Sequence, residues 1–185
     1  MRVENRKTFY LDIDGVLADF VQGLLLRGFP SPRDYHFSDY QEEDRKKALK
    51  LVNNPDFLFE LPPIPEGLHL AHRLNDLGLL GGLVTARQSE AIEVTLEWLD
   101  KVGLKEVEVM FTSKKWEVVK GGEVSVFVDD NPTISNEIVK NSPTSRVYLV
   151  NYPYNEKYNT LPRVFRIGRP TEVLIKEDIK EEVRL

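Results

Sequence analysis

The stretch Phe9-Tyr-Leu-Asp-Ile-Asp-Gly-Val-Leu-Ala-Asp19 joins an apolar run to two carboxylates spaced two residues apart and then to a glycine. Residues 7–13 are mostly apolar without a regular alternation, which is typical of a strand buried on both faces of a parallel sheet. Asp12 and Asp14 follow at the carboxyl end of this strand, and side chains two apart on an extended chain point to the same side. Their carboxylates therefore repel each other unless a cation or a shared proton intervenes. Asp and Gly are also ordinary turn residues, so this stretch alone leaves a plain turn open.

Other apolar runs of the chain also end in polar side chains. Residues 79–85 end in Thr85, residues 107–111 precede the adjacent Lys114 and Lys115, and residues 124–128 end in Asp129 and Asp130. In an open parallel sheet, ligands bind outside the carboxyl ends of the strands, so we expect these groups to meet at one site. The sequence leaves the choice between the two lysines open, and we assign Lys115 because it aligns better with the start of the following helix.

The chain as a whole alternates between strand-like and helix-like segments. After the first strand, the pattern predicts strands near 79–85, 107–111, 124–128, 145–150 and 163–167, and helices near 19–27, 41–53, 66–77, 89–102, 114–120, 132–140 and 171–181. Such alternation predicts an α/β fold with a parallel sheet, right-handed crossovers and helices on both faces. Residues 18–62 depart from this rhythm. We therefore predict a small helical cap, residues 18–62, inserted after the first strand of a core formed by residues 1–17 and 63–185.

Composition limits the classes of function that the chain can have. The 185 residues are 41% hydrophobic and carry a net charge of −5 with acids and bases interspersed, which favours an ordinary globular core and argues against binding to nucleic-acid duplexes. There is no cysteine, which excludes disulfides, thiolate catalysis and sulfur-ligated metals. No apolar run approaches the roughly 18 residues of a membrane span. We expect a cytoplasmic protein without membrane contact, and the sequence leaves open a homodimer.

The acidic strand ends predict a divalent metal ion. Several carboxylates at one edge need a cation, and Mg²⁺ is the expected one where all ligands are oxygens and the substrate is a phosphate. We expect Asp129, supported by Asp130, to hold this ion, which would neutralise the substrate and let an anionic nucleophile approach.

The assembled groups are suited to hydrolysis of a phosphate monoester. Asp12 would attack phosphorus in line and form an aspartyl-phosphate. Asp14 would give a proton to the leaving alkoxide and later take one from the hydrolytic water. Thr85 and Lys115 would hold the phosphoryl oxygens, and the lysine would counter the charge that builds in the transition state.

The order Asp-x-Asp, Thr, Lys and acidic pair resembles the haloacid-dehalogenase (HAD) superfamily of phosphohydrolases, and all four motifs are present here in sequence. The resemblance implies a HAD-like Rossmannoid sheet. It also implies that the backbone carbonyl of Asp14 joins Asp12, Asp129 and Asp130 in binding Mg²⁺.

A closer resemblance covers most of the chain. Asp12-Ile-Asp-Gly-Val-Leu-Ala-Asp-Phe20 and Asn54-Pro-Asp-Phe-Leu-Phe-Glu-Leu-Pro-Pro-Ile-Pro-Glu-Gly67 look like the 5'(3')-deoxyribonucleotidase family. This resemblance implies removal of phosphate from nucleoside monophosphates, preferably deoxy ones, with cap aromatics around the base. We assign Phe20, Phe57 and Phe59 to that apolar wall, although Phe57 and Phe59 also fit simple packing of the cap. Arg87 departs from the animal members of the family and is placed where it could bind phosphate or sugar.

Three alternative functions are compatible with parts of this pattern. One is a phosphatase for another small phosphate ester, because the catalytic core is shared and only the cap selects the substrate. Another is a signalling receiver domain, although there the lysine follows the acids, whereas Lys115 precedes Asp129. The third is a homologue that binds metal without turnover.

Overall fold

The computed structural model describes residues 7–119 and 124–179, which fold around a six-stranded sheet. The strands are β1 (Lys7–Leu11), β2 (Leu80–Thr85), β3 (Val109–Phe111), β4 (Val124–Asp129), β5 (Arg146–Val150) and β6 (Val164–Ile167). Their order is β3-β2-β1-β4-β5-β6, and every neighbouring pair is parallel. The predicted α/β class is therefore confirmed. Successive strands are added on one side of β1 up to β3 and on its other side from β4 onward, so the strand order changes direction between β1 and β4. In such a sheet, the ligand-binding crevice lies at the carboxyl ends of these two strands.

Six of the seven α-helices in the described residues lie between strands, and the seventh follows β6. They are α1 (Phe20–Leu25), α2 (Glu42–Leu51), α3 (Pro55–Phe59), α4 (Pro65–Asp76), α5 (Ile92–Lys101), α6 (Pro132–Asn141) and α7 (Glu172–Lys176). Capping side chains and prolines in the sequence explain where two of these helices begin. The Asn54 side chain accepts from the Phe57 amide at the start of α3, and Asn131 accepts from two amides at the start of α6. In both helices a proline takes the first position, where no amide hydrogen is needed.

Three segments differ from the sequence-based expectations. Asn54-Pro55 does not simply end the second helix, because it starts the short helix α3, which was not predicted. The helix expected at 114–120 is a single 3-10 turn, Lys115–Val118, and residue 120 lies outside the described residues. The last helix ends at Lys176, and residues 180 and 181 of its predicted range likewise fall outside the described part.

Helices cover both faces of the sheet, as predicted. On one face, Phe9 and Leu11 of β1 belong to a buried cluster that includes side chains of α4, α5 and α7. On the other face, Tyr10 and Phe127 belong to a second cluster with Ile138 of α6. Neighbouring residues of each strand are thus buried on opposite faces, which explains the unbroken apolar runs in the sequence.

The segment 18–62 contains α1, α2 and α3 and lies over the carboxyl edge of the sheet. Its buried side chains, such as Leu24 and Phe57, belong to the same apolar cluster as those of β1. The cap and the core therefore pack together, and their division at residues 18 and 62 stays a prediction. Among residues 7–119 and 124–179, no helix is long and apolar enough to cross a bilayer.

Candidate active site

The register of the central strands brings the predicted acids together. Leu11 of β1 pairs with Val128 of β4, so Asp12 and Asp129 follow at the same level, and the Asp12 amide donates to the Val128 carbonyl at 2.9 Å. On the other side, Leu11 pairs with Leu83, which places Thr85 at the same edge. Side chains from three separate strands thus converge because parallel strands expose their carboxyl ends on one edge.

A tight turn presents the two aspartates of the first motif. The Ile13 carbonyl accepts from the amides of Leu17 and Ala18, and Gly15 adopts a positive φ of 74°. A Cβ atom at Gly15 would lie 2.5 Å from Asp130 Cγ, so only glycine fits between this loop and the second acidic pair.

Residues 54–67, the second stretch on which the family resemblance depends, contact this turn. The Ile64 amide donates to the Leu17 carbonyl at 2.7 Å, and α4 begins directly afterwards. Gly67 lies so close to the turn that a Cβ there would be 1.8 Å from the Val16 carbonyl oxygen. These contacts hold the loop that carries Asp12 and Asp14 against the start of α4.

Lys115 forms the electrostatic centre of the site. Its ammonium lies 2.8 Å from Asp12 Oδ1 and 2.8 Å from Asp129 Oδ2, and its side chain is 1% exposed. Burial acts to lower the pKa of Lys115, but the two carboxylates outweigh it and raise the pKa above its usual range. Lys114 points away, pairs with Glu117 and is 63% exposed. The structure therefore brings Lys115, and not its neighbour, into the site.

Arg87 is held in place by groups of the site itself. Its Nε and Nη2 donate to the two oxygens of Asp14 at 2.9 and 2.7 Å, and Nη1 donates to Thr95 Oγ1 at 3.0 Å. The Arg87 amide also donates to Thr85 Oγ1 at 3.2 Å. This bidentate geometry favours a role for Arg87 in orienting Asp14. Direct binding of phosphate by Arg87 stays a prediction, because it requires the guanidinium to leave these partners.

Three buried carboxylates form a cluster suited to a hard cation. Asp12, Asp129 and Asp130 each offer an oxygen within 4.8 Å of the others. Burial raises the pKa of Asp12 to about 7 against the opposing effect of Lys115, and burial with the charges of Asp12 and Asp129 raises the pKa of Asp130 well above its usual range. Ionised together, the three groups repel, and an all-oxygen cluster of this kind fits Mg²⁺. The Asp14 side chain pairs with Arg87 instead, so a contribution of its backbone carbonyl stays a prediction.

A cavity of about 250 Å³ extends from these groups toward the cap. Its lining includes the polar side chains of Asp12, Asp14, Thr85 and Arg87. It also includes aromatic residues of the cap and of the segment after β5, namely Phe20, Tyr35, Phe37 and Tyr154. The predicted position of Phe20 therefore agrees with the cavity.

Phe57 and Phe59 occupy different surroundings from Phe20. Neither lines the cavity. Phe57 is 1% exposed with the Arg27 guanidinium 4.7 Å from its ring centroid, and the Lys101 ammonium lies 5.4 Å from the ring of Phe59. The structure therefore favours the packing alternative for both, and among the buried residues of α3 it is Leu58 that lines the cavity.

The sequence reasoning missed the segment after β5. Tyr154 donates its hydroxyl to Asp130 Oδ2, and Asn155 donates to the Asp130 carbonyl at 2.8 Å. Tyr152 donates to the Gly15 carbonyl at 2.9 Å. The available signal was a cluster of Tyr and Asn directly after a predicted strand, at the edge where the other polar groups were expected.

Comparisons with known proteins agree with this geometry. A model of the family described as "5' nucleotidase, deoxy (Pyrimidine), cytosolic type C protein" matches residues 6–174. The chain is 24% identical over 170 residues to a Bordetella bronchiseptica protein named "Putative 5'(3')-deoxyribonucleotidase", covering 83% of this chain and 88% of the relative.

Solved structures share the fold at low sequence identity. A Burkholderia xenovorans structure described as a "putative haloacid dehalogenase-like hydrolase" has a TM-score of 0.64 and 14% identity, covering 94% of this chain and 97% of that chain. A HAD family hydrolase from Deinococcus radiodurans, solved with bound phosphate and sodium, has a TM-score of 0.55 and 12% identity, covering 92% and 95%. Because the family model spans most of the chain, the receiver-domain alternative is wrong. The protein belongs to the 5' nucleotidase, deoxy (Pyrimidine), cytosolic type C family and is a hydrolase of the phosphatase class.

Proposed function

We propose that the protein is a magnesium-dependent phosphomonoesterase that hydrolyses nucleoside monophosphates, preferably deoxyribonucleoside monophosphates, through an aspartyl-phosphate on Asp12. The observation that carries this proposal is the cavity, because carboxylates of the site and aromatic side chains of the cap line the same space. A phosphate ester that carries an aromatic base combines the two chemistries that such a lining would bind.

The carboxylate cluster supports the metal dependence. Asp12, Asp129 and Asp130 would hold Mg²⁺, with the carbonyl of Asp14 as a further ligand. When bound, the ion would neutralise the phosphate and reduce its repulsion of the Asp12 carboxylate.

The first half of the reaction transfers the phosphoryl group to Asp12. An oxygen of Asp12 forms a bond to phosphorus while the ester P–O bond breaks, and Asp14 gives a proton to the leaving alkoxide. Lys115 already touches Asp12, so its ammonium is placed to stabilise the charge that accumulates on the phosphoryl oxygens. Thr85, which lines the cavity, would donate its hydroxyl to the same oxygens.

The second half regenerates the enzyme. Water attacks phosphorus, Asp14 takes a proton from that water, and the bond between Asp12 and phosphorus breaks to release inorganic phosphate. Before substrate binds, Arg87 orients the Asp14 carboxylate through two hydrogen bonds. The bond to the oxygen that carries the proton has to be released in each step, while the other keeps Asp14 in place.

The cap would select the substrate. Phe20 and Tyr35 are placed to stack on a base, whereas a small sugar phosphate or phosphoglycolate would leave that part of the cavity unfilled. Phe20→Ala should therefore raise KM for a nucleotide and leave KM for a small non-aromatic ester nearly unchanged. Phe59→Ala is the matched control, because it removes an equal ring from the cap outside the cavity.

The test is phosphate release across a panel of substrates with Mg²⁺ and with chelator. The panel contains 5'- and 3'-deoxyribonucleotides, ribonucleotides, sugar phosphates and phosphoglycolate. We expect the highest kcat/KM for deoxyribonucleoside monophosphates and no turnover in chelator. Equal rates on non-nucleotide esters would overturn the nucleotide assignment, and no hydrolysis of any ester would favour a binding homologue without turnover.

A further inference from the structure

Residues 151–158 connect the carboxylate cluster to the cap. Asn155 is fully buried, and its amide group donates to the carbonyls of Asp130 and Val150. The Arg166 guanidinium donates to the carbonyls of Asn155 and Tyr158, which holds the segment from the β6 side. These bonds fix the backbone of the segment beside the second acidic pair.

Tyr154 lies at the centre of this segment and has two different sets of contacts. Its hydroxyl donates to Asp130 Oδ2, and its side chain is nearly fully buried. Its ring centroid lies 6.3 Å from that of Phe20 and 5.8 Å from that of Tyr35, both in edge-to-face geometry, and it stacks on Tyr152 at 5.0 Å. The hydroxyl therefore reaches the carboxylates, while the ring forms part of the cavity wall.

We propose that Tyr154 is a positioning residue that holds the Asp130 carboxylate in place for the metal ion, while its ring separately supports the aromatic wall that receives the substrate. This proposal rests on the proposed function.

The physical reason is the mutual repulsion of the three carboxylates. Asp12, Asp129 and Asp130 offer oxygens within 4.8 Å of one another, and Lys115 contacts the first two. Asp130 is the member of the cluster that the Lys115 ammonium does not contact, and the Tyr154 hydroxyl binds one of its oxygens instead. Hydrogen-bond donors that orient metal-ligating carboxylates typically change metal affinity 10–100-fold when they are removed.

The test compares two tyrosine-to-phenylalanine variants. Tyr154→Phe removes the hydroxyl and keeps the ring. Tyr148→Phe is the matched control, because Tyr148 donates to the buried carboxylate of Glu177 at 2.6 Å, a group that pairs with the first residues of β1 and β5 at the opposite edge of the sheet. Both variants lose one buried bond between a tyrosine and a carboxylate.

The readout is the thermal stability of the substrate-free protein titrated with Mg²⁺ alone. We expect the Mg²⁺ concentration that gives half of the maximal stabilisation to rise about 10–100-fold in Tyr154→Phe and to stay unchanged in Tyr148→Phe. A titration curve for Tyr154→Phe that coincides with that of the wild type would overturn the proposal. If Mg²⁺ stabilises none of the three proteins, the proposed metal dependence itself fails, which is a different result.

Kinetics supply a second readout that separates the hydroxyl from the ring. At saturating Mg²⁺, Tyr154→Phe should keep the KM of the wild type for a nucleotide, whereas Tyr154→Ala should raise it. The double variant Tyr154→Phe with Asp130→Ala should show non-additive melting temperatures, because each change alone removes the same hydrogen bond. Additive effects would show that Tyr154 acts elsewhere and would contradict the proposal.

Discussion

The substitution Asp130→Asn should stabilise the metal-free protein while it removes the response to Mg²⁺. Asp130 is 4% exposed and belongs to a cluster of three carboxylates with oxygens within 4.8 Å of one another. Asparagine has nearly the same shape and can still accept the hydrogen bond from Tyr154. The change therefore removes a charge and little else.

The magnitude follows from the charges around Asp130. The neighbouring carboxylates offer oxygens within 4.8 Å of one of its own. At that upper limit, each repels Asp130 by roughly 3.5 kcal/mol at an effective dielectric constant of about 20. The attraction of the Lys115 ammonium cancels about one of these two repulsions, which leaves a net repulsion on Asp130 of about 3 kcal/mol. Protonation of the carboxylates relieves part of this repulsion. We therefore expect Asp130→Asn to raise the free energy of unfolding by about 1–3 kcal/mol, or the Tm by roughly 2–12 °C for a chain of this size.

The stability of the metal-free wild-type protein depends on pH through Asp130. Burial raises the pKa of Asp130 in the folded protein above its unfolded value of 3.8, so the folded state binds more protons than the unfolded state above that pH. The stability of the wild-type protein therefore falls as pH rises from about 4 toward the folded pKa. The advantage of Asp130→Asn should vanish near pH 4 and should grow as pH rises above that value.

The assay is thermal denaturation in chelator and in Mg²⁺. A hundredfold excess of Mg²⁺ over its Kd should stabilise the wild type by about 2.7 kcal/mol, and Asp130→Asn should show a much smaller shift. The reasoning is refuted if Asp130→Asn is less stable than the wild type in chelator at pH 8 and yet keeps the full Mg²⁺ shift.

Three further predictions concern other parts of the molecule. Gly67→Ala should destabilise the protein by about 1–3 kcal/mol or more, because its Cβ would lie 1.8 Å from the Val16 carbonyl oxygen; a Tm equal to that of the wild type would contradict this. Lys115→Met should lower kcat about 10²–10³-fold while Lys114→Met leaves it nearly unchanged, and equal losses in both would refute the assignment of the buried lysine. Asp34→Asn should lower the Tm at pH 7. Burial raises the pKa of Asp34, but hydrogen bonds from Lys157 and two backbone amides outweigh it and lower the pKa below the unfolded value of 3.8. The difference in Tm between the wild type and Asp34→Asn should therefore narrow as pH falls below about 4. A difference that stays constant with pH would contradict this prediction.

The sheet and the catalytic residues could be predicted because local patterns determine them. The apolar run before Asp12 reports burial on both faces of a strand, and parallel strands bring Thr85 and Asp129 to the same edge whatever the details of the crossovers. Lys115 could be chosen over Lys114 by its position at the start of the following turn.

The features of the site that the sequence did not predict depend on contacts between residues that are far apart in the chain. Tyr154 reaches Asp130 because β5 lies beside β4 in the sheet. The Tyr and Asn cluster after β5 indicates the edge of the sheet but does not indicate which strand lies beside it. Phe57 was assigned to the cavity because aromatic residues in a cap suit a base, but the direction in which α3 turns its buried face is set by packing against other helices. Such orientations follow from tertiary contacts and have no counterpart in residue spacing.

The central claim is that Asp12 accepts the phosphoryl group, and it can be tested by chemical trapping. Enzyme in excess over a labelled deoxyribonucleoside monophosphate would be quenched in acid during a single turnover, and the peptides would be analysed for an acyl phosphate sensitive to hydroxylamine. We predict a transient label on the peptide that carries Asp12, with no label and at least about a thousandfold slower hydrolysis in Asp12→Asn. Hydrolysis by Asp12→Asn at the wild-type rate, or a label on another residue, would contradict the claim.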